Sequence, residues 1–376
     1  MTSLAAPRFR ESFVSRWGRR AVTIPAYLLS ALIMLAATPA LLLIAVLVDV
    51  FRPRRFVLTR SLLMVDVYLL AEAAGMLACL GIWVSAGGWR RRPSSAYLRR
   101  NFLLQCHWAS FQLWGARRIF SLRIEAEGAD DLATGPLIVI ARHVSPVDNL
   151  VPAVFISARH GIQLRWVLNR WLLRDPCLDI VGGRLPNLFV EAGREEPKGQ
   201  AQGVAALAEG LGPLDGVVIY PEGALFSPER RTRVIARLSG VDPGAAKKAA
   251  ALRHVLAPRS GGFQAALAAV PDADVVVCSH SGLDSANSYR AFISGALVGA
   301  RVRVHFRRVA RRSIPSDPAG QAEWLWQAWA DIDRWIAMEE APTAKDDGAR
   351  LAEARAGATA VGERQEPAAH PTEAIE

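Results

Sequence analysis

Lysine and cysteine are both scarce in this chain of 376 residues, and their scarcity narrows the class of protein. Only four of the 45 basic residues are lysine, so the formal net charge of +10 is carried almost entirely by arginine. No RNA- or DNA-binding motif accompanies this charge, so a surface of anionic phospholipid is favoured as the partner over nucleic acid. The cysteines form no C-x-x-C pair and no metal-ligand spacing, which predicts free thiols in a reducing compartment; they are Cys79, Cys106, Cys177 and Cys278.

Charge is also missing from a long stretch near the amino terminus. Residues 21–48 contain no charged side chain, and crossing a bilayer takes roughly 20 apolar residues. A cleaved signal peptide is disfavoured, because its apolar core would hold only about 7–15 residues. A second apolar run, residues 61–89, contains Asp66 and Glu72, which we expect to face protein or to lie at shallow depth. Residues 1–89 are therefore predicted to form a membrane-anchoring helical hairpin, either spanning or re-entrant.

Residues 90–118 combine arginine with aromatic and aliphatic side chains at helical spacing. This pattern predicts a basic amphipathic helix lying in the headgroup region of a membrane. The alternative is an ordinary surface helix of the domain that follows.

From residue 119 the chain alternates short apolar runs with helical patterns, which favours a mixed α/β sheet flanked by helices. We predict a domain over residues 119–340, followed by a disordered tail over 341–376, where periodicity is lost. Strands are expected near 119–126, 137–142, 164–168, 187–191, 217–220, 274–279 and 301–306. Helices are expected near 147–159, 200–211, 245–255, 261–269 and 323–338.

A histidine and an aspartate follow the second of these strands. The apolar run 137–141 is flanked by Gly135-Pro136 and ends just before His143, and Asp148 lies five residues further on. Pro146 would suit the first turn of a helix. A carboxylate at Asp148 can accept the imidazole Nδ1–H and leave Nε2 free to take a proton from an alcohol. A capping aspartate beside an unrelated histidine is the alternative, because an H-x-x-x-x-D match is common.

A second motif follows the strand predicted at 217–220. It reads Pro221-Glu222-Gly223-Ala224, in which Gly223 permits a sharp turn and backbone contacts would hold Glu222 at the strand end. By itself this sequence is also compatible with a simple turn. The residues after it, from Ser227 to Arg233, are interpreted as a solvated loop.

The order of these motifs resembles that of the glycerolipid acyltransferases, whose founders are the lysophosphatidate acyltransferases. The first family block, N-H-x-S-x-x-D, is present with Arg142 replacing the asparagine, and the P-E-G-T block has Ala224 in place of threonine. The F-(I/V)-x-R block begins at Phe189, with its arginine displaced by two residues to Arg194. A fourth stretch, residues 256–263, is similar to the P-R-x-x-G-F stretch of the branch that includes the lysocardiolipin acyltransferases. The resemblance spans about residues 97–310.

The resemblance implies acyl transfer from acyl-CoA or acyl carrier protein to the hydroxyl of a lysophospholipid such as lysophosphatidate, without a cofactor or a metal. His143 and Asp148 would be the catalytic pair. Substrate contacts are predicted at Arg259, Arg194, Glu222, Gly223 and Ser145, with Arg184 in reserve. The protein would act at the cytoplasmic membrane with its catalytic domain facing the cytoplasm. A catalytically impaired scaffold of the same fold, and a hydrolase or CoA-independent transacylase, remain as alternatives.

Overall fold

The computed structural model describes residues 11–52, 55–88, 94–190, 197–288, 290–291 and 294–340. The tail predicted at 341–376 and the start of the segment predicted at 90–118 lie outside the described residues.

Two long apolar helices begin the chain, α1 over Phe13–Val50 and α2 over Val57–Ser85. They pack against each other as a hairpin, and both are long and apolar enough to cross a membrane by length and composition. Asp49 closes the connection, because its carboxylate accepts the backbone N–H groups of Leu58 and Thr59 at the start of α2. Most of the large side chains of α1 remain exposed, whereas α2 turns one face to the protein.

The two acids within the second apolar run both face protein. Asp66 is buried and accepts a hydrogen bond from the Thr38 hydroxyl of α1. Glu72 is fully buried, accepts the indole N–H of Trp108 at 2.9 Å and accepts the backbone N–H of Cys177 at 3.1 Å. These hydrogen bonds to other parts of the protein offset the cost of placing an acid in an apolar helix.

Helix α3, Ser95–Phe120, joins the hairpin to the sheet. Its start is capped by Ser94, and it packs against α2 on one side and against the segment after the second strand on the other. The helix extends to Phe120, so the strand expected from residue 119 was placed too early and begins only at Arg123.

A seven-stranded mixed sheet follows, which confirms the predicted fold class. Strand order is β1-β7-β6-β2-β5-β3-β4; β6 and β7 pair antiparallel and all other neighbours pair parallel. The strands are β1 Arg123–Glu127, β2 Leu137–Ala141, β3 Gln163–Asn169, β4 Leu188–Val190, β5 Asp215–Ile219, β6 Asp274–Ser281 and β7 Arg301–Val309.

Helices cover both faces of the sheet, and β2 shows how the two cores are divided. Its five residues are all buried; Leu137 and Val139 face the core shared with α3, whereas Ile138 and Ile140 face the core shared with the later helices. The helices are α4 Leu150–Pro152, continued by a π-helical turn Ala153–Ala158, α5 Pro176–Arg184, α6 Pro197–Ala208, α7 Pro228–Ser239, α8 Pro243–Ala251, α9 Ser260–Ala269 and α10 Pro318–Glu340.

Three local predictions were wrong. The loop expected after the P-E-G turn is helix α7, which starts with Ser227 as its cap and Pro228 in its first turn. Pro146 does not open a helix, because residues 146–149 form turns and helical structure begins at Leu150. The helix expected over 245–255 ends at Ala251.

Candidate active site

His143 lies at the carboxyl edge of the sheet, two residues beyond β2. The backbone N–H of Arg142 still bonds to the carbonyl of Cys278 on β6, so the strand direction is maintained up to the residue before His143. The chain then turns over residues 145–149. His143 is therefore carried by a buried central strand, while its ring is half-buried at the rim.

The predicted histidine and aspartate are in contact. His143 Nδ1 lies 3.1 Å from both carboxylate oxygens of Asp148. Because a carboxylate only accepts, Nδ1 carries the proton and Nε2 is the basic nitrogen. Nε2 has no hydrogen-bond partner in the described part of the chain. The arrangement leaves Nε2 available to take a proton from a bound hydroxyl group.

Asp148 is held by the turn that it closes. Its Oδ2 also accepts the backbone N–H groups of Val144 at 2.8 Å and Ser145 at 3.0 Å. Burial alone would raise the pKa of the Asp148 carboxyl, but the electrostatic attraction and hydrogen bond of the His143 ring, together with the backbone donors, lower that pKa below its ordinary value. The carboxylate is thus ionised at neutral pH and fixes the imidazole tautomer.

The P-E-G turn clamps the backbone of His143. Glu222 accepts the backbone N–H of His143 on one carboxylate oxygen, at 3.0 Å, and that of Leu256 on the other, at 2.9 Å. The N–H of Phe226 donates to the His143 carbonyl at 2.7 Å, and the ring of Tyr220 stacks on the imidazole with centroids 4.2 Å apart. Burial of Glu222 raises its pKa to about 7, although the backbone donors and Arg142 oppose this rise.

Arg259 lies against the same turn. Its backbone N–H donates to the carbonyl of Pro221 at 2.9 Å, and its guanidinium covers the Cα of Gly223, where a Cβ would lie only 3.2 Å from Nη1. Gly223 has a φ of +65°, so this turn requires glycine for its backbone as well as for the approach of Arg259. Partial desolvation and the positive charge of nearby Arg237 lower the pKa of Arg259. Within the described residues no acid pairs with Arg259.

The other predicted substrate contacts have different outcomes. Ser145 is fully buried and its hydroxyl donates to the carbonyl of Ala286, which gives it a structural partner, and its contact with substrate stays a prediction. Each carboxylate oxygen of Glu222 accepts a backbone N–H, and its contact with substrate likewise stays a prediction. Arg184 bonds to the carbonyl of Cys79 and to Asn101, which ties α5 to the hairpin. Arg194 lies outside the described residues.

Arg142 acquires a role that its sequence position alone did not reveal. It is fully buried, donates to the carbonyls of His254 and His280 at 2.8 Å, and forms an ion pair with the carboxylate of Asp284. It therefore joins three segments beneath the dyad. The departure from the family asparagine was the available signal, but its partners lie more than a hundred residues away and no local pattern predicts them.

His280 is a second buried histidine beside the dyad. Its Nε2 lies 3.2 Å from the Arg142 carbonyl and 3.9 Å from Asp148 Oδ2. Burial lowers the pKa of His280 to about 4; Asp148 opposes this shift and Arg142 adds to it. The His280 ring is therefore neutral at neutral pH. Among the described residues no group of three or more His, Cys, Asp and Glu side chains is placed to hold a metal ion.

The fold and the site together define a mixed α/β protein that presents a His–Asp pair at the carboxyl end of its central strands, with an arginine close by that has no acidic partner among the described residues. Residues 123–281 match the family model for the acyltransferase domain, and this range contains all four blocks described above. This match supports the resemblance drawn from the motifs: residues 123–281 are similar to the acyltransferase domain and carry the block order of the glycerolipid acyltransferases.

No curated protein matches the chain. Among solved structures, it is similar to the 1-acyl-sn-glycerophosphate (LPA) acyltransferase PlsC from Thermotoga maritima. The two are 12% identical, with a TM-score of 0.47, over 75% of this chain and 98% of that one.

Proposed function

We propose that the protein transfers a fatty acyl chain from a thioester, carried by CoA or acyl carrier protein, to the hydroxyl of a lysophospholipid. The observation that supports this most strongly is the geometry of His143 and Asp148. A protonated Nδ1 held by a buried carboxylate leaves Nε2 as a general base at the rim of the site. A positioned histidine base contributes about 10²–10⁴-fold to the rate of such a reaction.

In the proposed step, Nε2 of His143 takes the proton of the acceptor hydroxyl while its oxygen attacks the thioester carbonyl. The C–O ester bond forms, the C–S bond breaks, and the departing thiolate receives the proton from the imidazolium. Direct attack by the acceptor is favoured over a covalent acyl-enzyme, because the Ser145 hydroxyl is buried and bonded and all four cysteines are buried.

Arg259 is proposed to hold the phosphate of the acceptor. It is an exposed arginine without an acidic partner in the described structure, and it lies over Gly223, in the turn that holds the His143 backbone. A guanidinium binds phosphate through two parallel hydrogen bonds, which would orient the adjacent hydroxyl toward Nε2. Arg237 adds positive charge to the same place.

The hairpin is proposed to lie along one leaflet of the cytoplasmic membrane, with the α/β domain on the cytoplasmic side. Near its start, Arg19 and Arg20 bond to Asp179 of α5 at 2.7–2.8 Å. Near its other end, Arg60 in the first turn of α2 bonds to Ser121 at 2.9 Å. Arg19 lies 31 residues before Val50 at the end of α1, so these contacts lie about 40 to 45 Å apart along the hairpin. The α/β domain contacts both ends, so a spanning hairpin would draw this polar domain through the bilayer.

The test is a lipid-product assay on the purified full-length protein. A panel of lysophospholipids is offered with labelled acyl-CoA or labelled acyl carrier protein, and His143→Ala protein serves as the control. We expect a labelled diacyl phospholipid from the unmodified protein only. Release of free fatty acid without ester formation would favour a hydrolase. The absence of product with every acceptor would favour the hypothesis of a catalytically impaired scaffold.

A further inference from the structure

A second group of arginines lies away from His143, where the connection between α1 and α2 meets the α/β domain. There a cavity of about 380 Å³ opens to the surface. Its lining contains no carboxylate and consists of Arg55, Phe56, Arg60, Ser121, Arg123, Val298 and Gly299. Three guanidinium groups thus share one cavity, a composition suited to an anion.

The charges of this cavity are not neutralised within the described structure. Arg60 donates to the carbonyl of Ile119 and to the Ser121 hydroxyl, both uncharged. Among the described residues neither Arg55 nor Arg123 forms an ion pair. Arg123 does attract the carboxylate of Glu125, but that carboxylate is bonded by Arg301 at 2.9 Å. A fixed cluster of cations without partners is costly in isolation and is stabilised by a bound anion.

The backbone around the cavity is strained. Among the described residues, three that are not glycine have positive φ: Arg55 at 31°, Phe56 at 54° and Ser121 at 56°. All three line this cavity. Left-handed backbone is unfavourable at such residues and is concentrated at ligand sites and switches. Gly299 adds room, since a Cβ there would lie 2.7 Å from Nη1 of Arg55.

The cavity is separate from the active site but opens on the same edge of the sheet. Arg123 begins β1 beside Arg301 of β7, and the start of β7 pairs with the end of β6, which neighbours the end of β2. Two strands lie between β1 and β2, so the lateral separation is about 14 Å at the usual strand spacing. Arg259 lies on the other side of His143, by the turn after β5.

We propose that this cavity binds the phosphate of an anionic phospholipid in the bilayer, a lipid that is neither substrate nor product. The guanidinium groups of Arg55, Arg60 and Arg123 would hold the phosphate. A lipid suits the site better than free phosphate because the connection beside it exposes Val50 and Phe51, and Phe56 lines the cavity itself. The inference rests on the membrane placement of the hairpin proposed above and does not depend on catalysis.

The test is vesicle flotation of the full-length protein, with phosphatidylcholine vesicles that either contain or lack phosphatidylglycerol. Arg55→Gln/Arg123→Gln is compared with Arg99→Gln/Arg100→Gln, which removes the same charge from exposed positions near the start of α3. We expect the cavity variant to lose about tenfold or more of its phosphatidylglycerol-dependent partition. The α3 variant should lose much less, and Arg259→Ala should retain all of it. Acyl transfer in uncharged detergent micelles, unchanged in both double variants, shows that they are folded.

Competition distinguishes a phosphate pocket from diffuse attraction. At constant ionic strength, soluble glycerophosphoglycerol should reduce the partition of the unmodified protein to that of the cavity variant. Equal losses in the two double variants would overturn the pocket and leave only surface charge. Calorimetric binding of inorganic phosphate that is lost in Arg55→Gln/Arg123→Gln, with vesicle partition equal in all proteins, would overturn the lipid assignment in favour of free phosphate.

Discussion

The position of His143 is fixed by groups that no single motif contains. Its N–H is bonded to Glu222, its carbonyl to Phe226, its Nδ1 to Asp148 and its ring face to Tyr220. Together these contacts restrict the backbone and the ring of His143, so Nε2 is oriented before substrate binds. Such preorganisation avoids an entropic cost at the moment of reaction.

Removing the base tests the dyad directly. His143→Ala should lower kcat by about 10²–10⁴-fold, because His280, the other histidine beside Asp148, is buried and its Nε2 is bonded to the Arg142 carbonyl. Asp148→Asn should also lower kcat strongly, since an amide cannot enforce the same imidazole tautomer. His107→Ala, at an exposed histidine of α3, is the matched control and should retain full activity. Near-normal turnover of the purified His143→Ala protein would exclude this mechanism.

The buried carboxylate of Glu222 predicts a pH dependence of stability. Its pKa is raised from 4.5 to about 7, so between these values the folded state holds a proton that the unfolded state has released. This contribution therefore favours folding at low pH and is lost as the pH rises through about 7. Glu222→Gln removes the titration and replaces one of the two side-chain oxygens that accept backbone N–H groups with an N–H donor, at a cost of about 1–3 kcal/mol.

Thermal unfolding of both proteins across this pH range measures the effect. The melting temperature of the unmodified protein should exceed that of Glu222→Gln by more at pH 5 than at pH 8. A constant difference across the range would show that Glu222 does not titrate there.

Arg259 is expected to act through acceptor binding. Replacing it with alanine should raise KM for the lysophospholipid by about tenfold or more and change KM for the acyl donor little, because a charge-assisted bond to phosphate is lost. The same change at Arg194 should have a smaller effect, since Glu195 and Glu196 follow it directly in the sequence. Donor and acceptor are titrated separately in each variant. A larger acceptor defect at Arg194 would reverse this ranking.

At the scale of elements, buried strands were the most predictable part of the molecule. The run 137–141 is apolar and flanked by breakers, and β2 occupies this range. Helices α5 and α7 were missed because they are short or lack an apolar stripe; no residue of α7 is buried. Both nonetheless begin with a capping residue followed by proline, Asp175-Pro176 and Ser227-Pro228, and this local signal was sufficient to find them.

The site was predictable only where its contacts are local. His143 and Asp148 are five residues apart, so one turn brings them together. Arg142 depends on His280 and Asp284, which reach it through the pairing of β2 with β6. Contacts of that separation are set by sheet topology, which strand patterns do not specify.

Asp179 on α5 is predicted to dock the start of the hairpin. It is buried and bonds to both Arg19 and Arg20, so Asp179→Ala should release the first turns of α1 and leave the α/β core unchanged. Limited trypsin digestion should cleave after Arg19 or Arg20 several times faster in the variant. Asp331→Ala, which removes a more exposed ion pair with Arg334, is the control and should not change this cleavage. Equal rates of cleavage in all three proteins would contradict docking through Asp179.

At the scale of the whole molecule, the connection between α1 and α2 and the candidate active site lie at one edge of the sheet. Arg60 of α2 bonds to Ser121 just before β1, and the start of β1 lies at the same edge as the carboxyl end of β2. A lysophospholipid held in the same leaflet would reach His143 without leaving the membrane. The net charge of +10 would strengthen attraction to an anionic leaflet, and this attraction weakens as salt is added.

An in-plane hairpin makes a prediction about sidedness that a spanning hairpin does not share. Single cysteines are introduced at exposed polar positions near the start of α1 and just after its end, as Arg16→Cys and Arg52→Cys, with Met338→Cys on α10 reporting the side of the α/β domain. The four native cysteines are buried and should give little background; they are Cys79, Cys106, Cys177 and Cys278. In sealed vesicles of one orientation, a membrane-impermeant maleimide should label all three introduced positions equally, because the α/β domain contacts the hairpin at both ends. Labelling of Arg52→Cys only after the vesicles are permeabilised, with the other two accessible from the start, would mean that the hairpin crosses the bilayer.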